Sequence, residues 1–182
     1  MMNGRTFDFI TFMSDILKET AKRIHLKTIP FGEQLLDTLI ECIQGPCEGN
    51  QMALYRAKVV DSVRDILEMG EKRFKHKESR TNLINGMKMK SSKLLLSLTE
   101  GTIARTELFE EPITNSLEYS MITMRLAMIF KTFVKEELRM SHRTTTLVQI
   151  KRVLRKEHFE GPLLEGFDLA IFLITVAKHD TS

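Results

Sequence analysis

The chain has 182 residues, 42% of them hydrophobic, enough for one domain with a substantial core. Glycine (9) and proline (4) are scarce and methionine is abundant (11), a balance that favours helices over sheets. The net charge of +3 comes from nearly balanced acids and bases, so no global field calls for nucleic acid, and a nucleic-acid partner is not expected.

In chain order, Phe7 to Ile24 reads as an amphipathic helix with Phe9, Ile10, Met13, Ile16, Leu17, Ala21 and Ile24 on one face. Pro30 opens a second helix, in which Phe31, Leu35, Leu36, Leu39, Ile40 and Ile43 repeat at the same period until Gly45-Pro46 stops it. Asn50 is the expected N-cap of a third helix that runs to Gly70 with Met52, Leu54, Val59, Val60, Val63, Ile66 and Leu67 inward. A basic loop, about 71–80, separates it from a fourth helix over Thr81 to Glu100. There Leu83, Ile84, Met87, Leu94, Leu95 and Leu98 face inward and Gly101 is the C-terminal stop. A short piece from Ile103 to Phe109, a long helix from about Asn115 to Arg139, a basic amphipathic stretch from Thr145 to Lys156 and a last helix from Leu163 to Lys178 complete the chain. No strand of convincing alternation occurs. The expected fold is all-α, a helical bundle or armadillo-like solenoid segment of about seven to eight helices, forming one domain over 1–182.

Two cysteines, Cys42 and Cys47, make no disulfide framework, and "MMNGRTFDFI" is not a secretory leader, so a reducing compartment is expected. No segment reaches the ~18 uncharged apolar residues of a membrane span. Arg125 and Lys131 interrupt the nearest one, Ser120 to Phe133.

Chemistry-bearing motifs are few. Cys42 and Cys47 have no second cysteine pair, and no histidine stands at a metal-site spacing, so zinc is not expected and both thiols read as small buried groups. His25, His76, His142, His158 and His179 neighbour no obvious nucleophile. No catalytic or phosphate-binding signature is present, and neither an enzyme nor a nucleotide site is expected. Basic residues cluster at Lys72, Arg73, Lys75 and Lys77, at Lys88 to Lys93, and at Lys151, Arg152, Arg155 and Lys156. The first and last clusters read either as solvated helix faces or as a patch for an anionic surface.

The carboxylates are more informative. Glu41 lies in the last turn of its helix and Glu100 at the very end of another. A helix C-terminus is the negative end of the macrodipole and usually carries Lys or Arg. Its free carbonyl oxygens gather there as well. Two such ends brought together would make an oxygen-rich spot suited to a hard cation. Calcium takes about 6–8 oxygens, so a third element would have to complete the site. The other reading is two surface acids, each costing a few tenths of a kcal/mol.

"LIECIQGPCEGNQ" (Leu39 to Gln51) resembles a segment of the intracellular calcium-release channels, the ryanodine and inositol trisphosphate receptors, whose RIH-associated domain carries L-T-E-y-x-Q-G-P-C-x-x-N-Q. The match covers Leu39, Glu41, Gln44, Gly45, Pro46, Cys47, Asn50 and Gln51, with Ile40 in place of the common threonine. "KMKSSKLLLSLTEG" (Lys88 to Gly101) is similar to that family's helix ending in L-L-L-S-L-L-E-G. Gly166 to Asp180 is more loosely similar to an inositol trisphosphate receptor segment, and about 107–165 is the least family-like region.

The resemblance implies an all-helical cytoplasmic domain of a tetrameric, ligand-gated channel in the endoplasmic reticulum or another calcium-store membrane. It implies that Glu41 and Glu100 are two ligands of an activating calcium site, weak alone and completed by a C-terminal segment that follows the pore. It also implies partners among the other domains of the same polypeptide. Gly45 and Pro46 would shape the exit from the helix, Gln44 would bond the turn, Cys47 would pack inside and Asn50 would cap the next helix. The alternative is a free-standing solenoid scaffold that binds a partner protein or an anionic surface without calcium.

Overall fold

The computed structural model describes residues 8–45, 47–69, 78–101, 119–141 and 157–179. Among these, all regular structure is helical: α1 (Phe9–Lys22), α2 (Ile29–Ile43), α3 (Glu48–Arg56), α4 (Val59–Leu67), α5 (Glu78–Thr99), α6 (Tyr119–Ser141) and α7 (Glu157–His179). This is the all-α bundle expected from the periodicity.

α1 starts where Asp8 accepts a hydrogen bond from the Thr11 backbone N–H at 3.0 Å and another from the Thr11 hydroxyl at 2.7 Å. The Thr11 backbone bond, then its hydroxyl, holds the Asp8 carboxyl below its ordinary value. Ile10, Ser14, Leu17, Ala21 and Ile24 form the buried stripe. Phe9, expected on that face, is exposed, because it stands about 100° around the axis from Ile10 on the flank of the stripe. In α2, Pro30 sits in the first turn as expected, and Leu35, Leu36, Leu39, Ile40 and Ile43 are buried. Each such side chain contributes about 1.5–3 kcal/mol when fully removed from water. Phe31, expected inward, is 52% exposed at the rim of a shallow groove between α1 and the start of α2.

The expected third helix is two helices. Lys58 adopts a left-handed conformation (φ 56°) and breaks it, so that Leu54 of α3 and Val59, Val60 and Val63 of α4 all reach the same core. No glycine or proline marks this break, which hid it in the sequence.

α5 is the central helix and packs against α2, α4 and α7. Ile84, Met87, Leu94, Leu95 and Leu98 are buried, but so are Ser91, Ser92, Ser97 and Thr99, and Lys88 is only 3% exposed. Burial on several sides removes the single apolar stripe of a surface helix. Leu83, expected inward, is exposed near the start of α5, ahead of the buried stretch.

α2 and α5 meet closely at glycines. A Cβ on Gly32 would meet the Met87 methyl, and one on Gly86 would meet the Glu33 carboxylate. One turn on, Asp37 accepts a hydrogen bond from Lys90 Nζ at 2.5 Å. Glu33 opposite Gly86 and Asp37 opposite Lys90 advance together, so the two helices run in the same direction and end at the same side of the molecule.

α6 lies on α7, and α7 on α5. Gly161-Pro162, expected to start the last helix, falls inside α7, which begins at Glu157. Arg125 of α6, the residue that interrupts the apolar segment, is bonded to Glu165 of α7 through Nε at 2.6 Å and Nη2 at 2.9 Å. The Glu165 side chain is 0% exposed and that of Arg125 10%. The short segment expected at Ile103 to Phe109 and the basic stretch Thr145 to Lys156 lie outside the described residues.

Two stability predictions follow from these contacts. Lys58→Gly relieves a left-handed non-glycine conformation and is expected to raise stability by about 0.5–1 kcal/mol in urea unfolding, without altering helix content. Glu165→Ala leaves the Arg125 guanidinium buried without its partner and is expected to cost about 3–5 kcal/mol, whereas an Arg125→Met, Glu165→Leu pair costs much less.

Candidate functional site

The parallel course of α2 and α5 brings Glu41 and Glu100 to one end of the bundle. Glu41 is exposed in the last turn of α2, and Glu100 is exposed immediately after α5. Extending the register of Asp37 with Lys90 sets Glu41 level with Leu94. Glu100 then lies six residues further along, about 9 Å down the axis. Neither carboxylate is in an ion pair among the described residues. α1, α3 and α4 each carry a base in the last turn, Lys22, Arg56 and Arg64. α2 and α5 carry none there. Of α1 to α5, the two acids thus add negative charge to the ends whose last turn lacks a base.

The turn between α2 and α3 holds these ends together. Gln44 is exposed, and its backbone N–H donates to Ile40 O at 2.9 Å. Gly45 takes φ 71°, a left-handed position that reverses the chain, with open space where a Cβ would be. Gly101, just past α5, also takes a left-handed φ of 73°. Pro46 lies outside the described residues.

Two expectations are corrected. Cys47 does not pack inside: it is exposed and is itself the N-cap residue of α3, its carbonyl accepting from the backbone N–H groups of Asn50 and Gln51. Asn50 is therefore not the cap but lies within the first turn, and its side chain reaches back to donate from Nδ2 to Cys42 O at 2.7 Å. Gln51, 4% exposed, donates from Nε2 to both Ser97 O and Glu100 O at 3.0 Å. Those carbonyls belong to the end of α5, 46 and 49 residues away. Gln51 stands out in the sequence by its place in the motif alone; nothing local reveals a partner that distant.

A groove of about 610 Å³ opens beside Glu100. Gln44 and Gly45 line it at one end, Lys90, Lys93, Leu96 and Ser97 of α5 form one wall, and Leu164 and Asp168 of α7 the other. Burial pushes the Asp168 carboxyl above its ordinary value, and Lys93 pulls it partly back. Glu33, further up α2, is likewise raised by burial, with Asp37 adding to the rise and Lys90 opposing it. The cluster Lys88 to Lys93 is therefore no free cationic patch: Lys88 is buried, Lys90 is paired with Asp37, and Lys93 faces the groove. Lys72, Arg73, Lys75, Lys77, Lys151, Arg152, Arg155 and Lys156 lie outside the described residues.

Among the described residues, no group of three or more His, Cys, Asp or Glu gathers around one point. A cation held by Glu41 and Glu100 would take its remaining oxygens from water or another segment. The neighbouring carbonyls of Cys42, Ser97 and Glu100 are already engaged by Asn50 and Gln51.

Residues 1–67 match the sequence model of the family described as RyR and IP3R Homology associated. The match spans α1 to α4 and contains the whole of Leu39 to Gln51, so the likeness read from that stretch holds over the N-terminal part of the chain. It is a family of channel receptors, not of enzymes. No solved structure matches the chain. Among the described residues, no helix is long and apolar enough to cross a membrane.

The raised carboxyls give a pH test. Their folded-state values lie above the unfolded ones (3.8 for Asp168, 4.5 for Glu33), so the folded chain binds more protons in that window. Their contribution is whole below the unfolded values and is lost as pH rises through the folded ones. Asp168→Asn with Glu33→Gln is expected to match the parent in acid and to become relatively more stable toward neutral pH. Urea midpoints measured across pH 3.5–7 check this.

Proposed function

We propose that this chain is a regulatory helical module of an intracellular calcium-release channel of the ryanodine and inositol trisphosphate receptor kind. Glu41 and Glu100 supply two ligands of an activating calcium site, and a C-terminal segment of the same polypeptide, beyond the pore, completes it. The module sits on the cytoplasmic side of the calcium-store membrane within a channel tetramer and relays conformational change to the pore.

The observation that carries this reading is the common end of α2 and α5, where two helices running in parallel each finish in an acid instead of a base. The family match over residues 1–67, which includes Glu41, adds support. The donor set fits a hard cation: two exposed carboxylates with no ion pair among the described residues, beside a groove that leaves room for a further oxygen donor. When bound, calcium would supply a charge that draws the two helix ends and the completing segment together. Coupling follows only if one arrangement of module and partner binds the ion better than the other.

A second reading, a scaffold that docks a partner or an anionic surface without calcium, is favoured by the apolar side chains left exposed on α6 and α7: Met124, Met128, Phe130, Leu164, Phe167 and Ile174.

Glu41→Gln and Glu100→Gln in the channel polypeptide are expected to shift calcium activation to higher concentration by tenfold or more, with the module still folded. Single-channel recording at stepped calcium reads this. Unchanged activation in the double variant would sink the calcium reading and leave the scaffold.

A further inference from the structure

Asn50 and Gln51 are neighbours in the first turn of α3, and both spend their side-chain amides outside that helix. Asn50 Nδ2 donates to Cys42 O, the carbonyl one residue beyond Glu41. Gln51 Nε2 donates to Ser97 O and to Glu100 O, the carbonyl of the second acid itself. The last carbonyls of any helix lack partners within it, and here two adjacent side chains satisfy those of two different helices.

We propose that Asn50 and Gln51 form a clasp that fixes the separation of Glu41 and Glu100, positioning both carboxylates without touching the cation. This rests on the calcium reading for its purpose but not for its geometry. The donors are joined by a single peptide bond, and their backbone N–H groups are both bound to Cys47 O at 3.0 Å. The spacing between the two helix ends is thereby set by one turn of backbone. Gln51 is buried, and its amide nitrogen divides between two acceptors, which holds its orientation. The clasp also engages three of the carbonyls at this end, those of Cys42, Ser97 and Glu100. Gly45 takes the left-handed conformation that lets the chain leave α2 toward α3.

The test is the distribution of distances between spin labels at positions 41 and 100 in the 182-residue chain, with Cys42 and Cys47 replaced by serine. The parent clasp is expected to give one narrow distribution. Gln51→Met, close in size but unable to donate, is expected to broaden it at least twofold while the circular-dichroism signal persists. Asn50→Ala, at a half-buried position, provides the same reading should the first variant fold poorly. Unchanged widths in both variants would overturn the clasp. In the channel polypeptide, Gln51→Met is expected to shift calcium activation in the direction of Glu41→Gln. If the distance broadens while Glu41→Gln and Glu100→Gln leave activation untouched, the clasp stands and the calcium reading falls. If the two glutamate variants shift activation and the distance stays narrow, the reverse holds.

Discussion

The contact between α2 and α5 organises the molecule. Gly32 and Gly86 remove the side chains that would keep the two helices apart, and Met87 and Glu33 fill the space so made. Asp37 and Lys90 then fix the register one turn further on. Because the helices run in parallel, the chain must return to the start of α5 after α2 ends. α3 and α4 lie on that return path and pack against α1, α2 and α5 as they go. The common end of α2 and α5, with its two acids, follows from this contact.

The sequence motif acquires a physical meaning from that geometry. Gln44 to Gln51 is more than an inter-helix turn. Gly45 reverses the chain, the Cys47 carbonyl starts α3, Asn50 ties α3 back to α2, and Gln51 ties it across to α5. Two of these bonds are local, at the Cys47 carbonyl, and three reach the ends of α2 and α5. A segment with both kinds of bond tolerates few substitutions, since a buried carbonyl left without a donor costs about 1–3 kcal/mol.

How far the sequence could be read depended on the range of the interactions. α1 and α2 were legible because each buries one stripe at a period of 3.6 residues, and Pro30 and Gly45 mark boundaries by fixing backbone angles. The break at Lys58 was hidden, since a lysine in a left-handed conformation leaves no compositional trace. α5 was legible as a helix but not as the centre of the bundle. Its buried serines and Lys88 read as polar surface until three neighbouring helices surround them. Glu41 and Glu100 drew attention because each conflicts with a local electrostatic rule. The roles of Gln51 and Asp168 were out of reach, because the groups they face stand 46 or more positions away in the chain.

The buried Arg125–Glu165 pair sets the mechanical character of the far side. Separating those two ions would strand charge in a low-dielectric interior, so the joint between α6 and α7 is stiff and fixed in one register. The joint between α7 and α5 is of another kind. α7 brings Leu169 and Phe172 into the core, and Lys93 of α5 acts electrostatically on Asp168 of α7 across the groove. Arg125 and Glu165 thereby pin α6 to α7, and any displacement of α7 would carry α6 with it as a single plate.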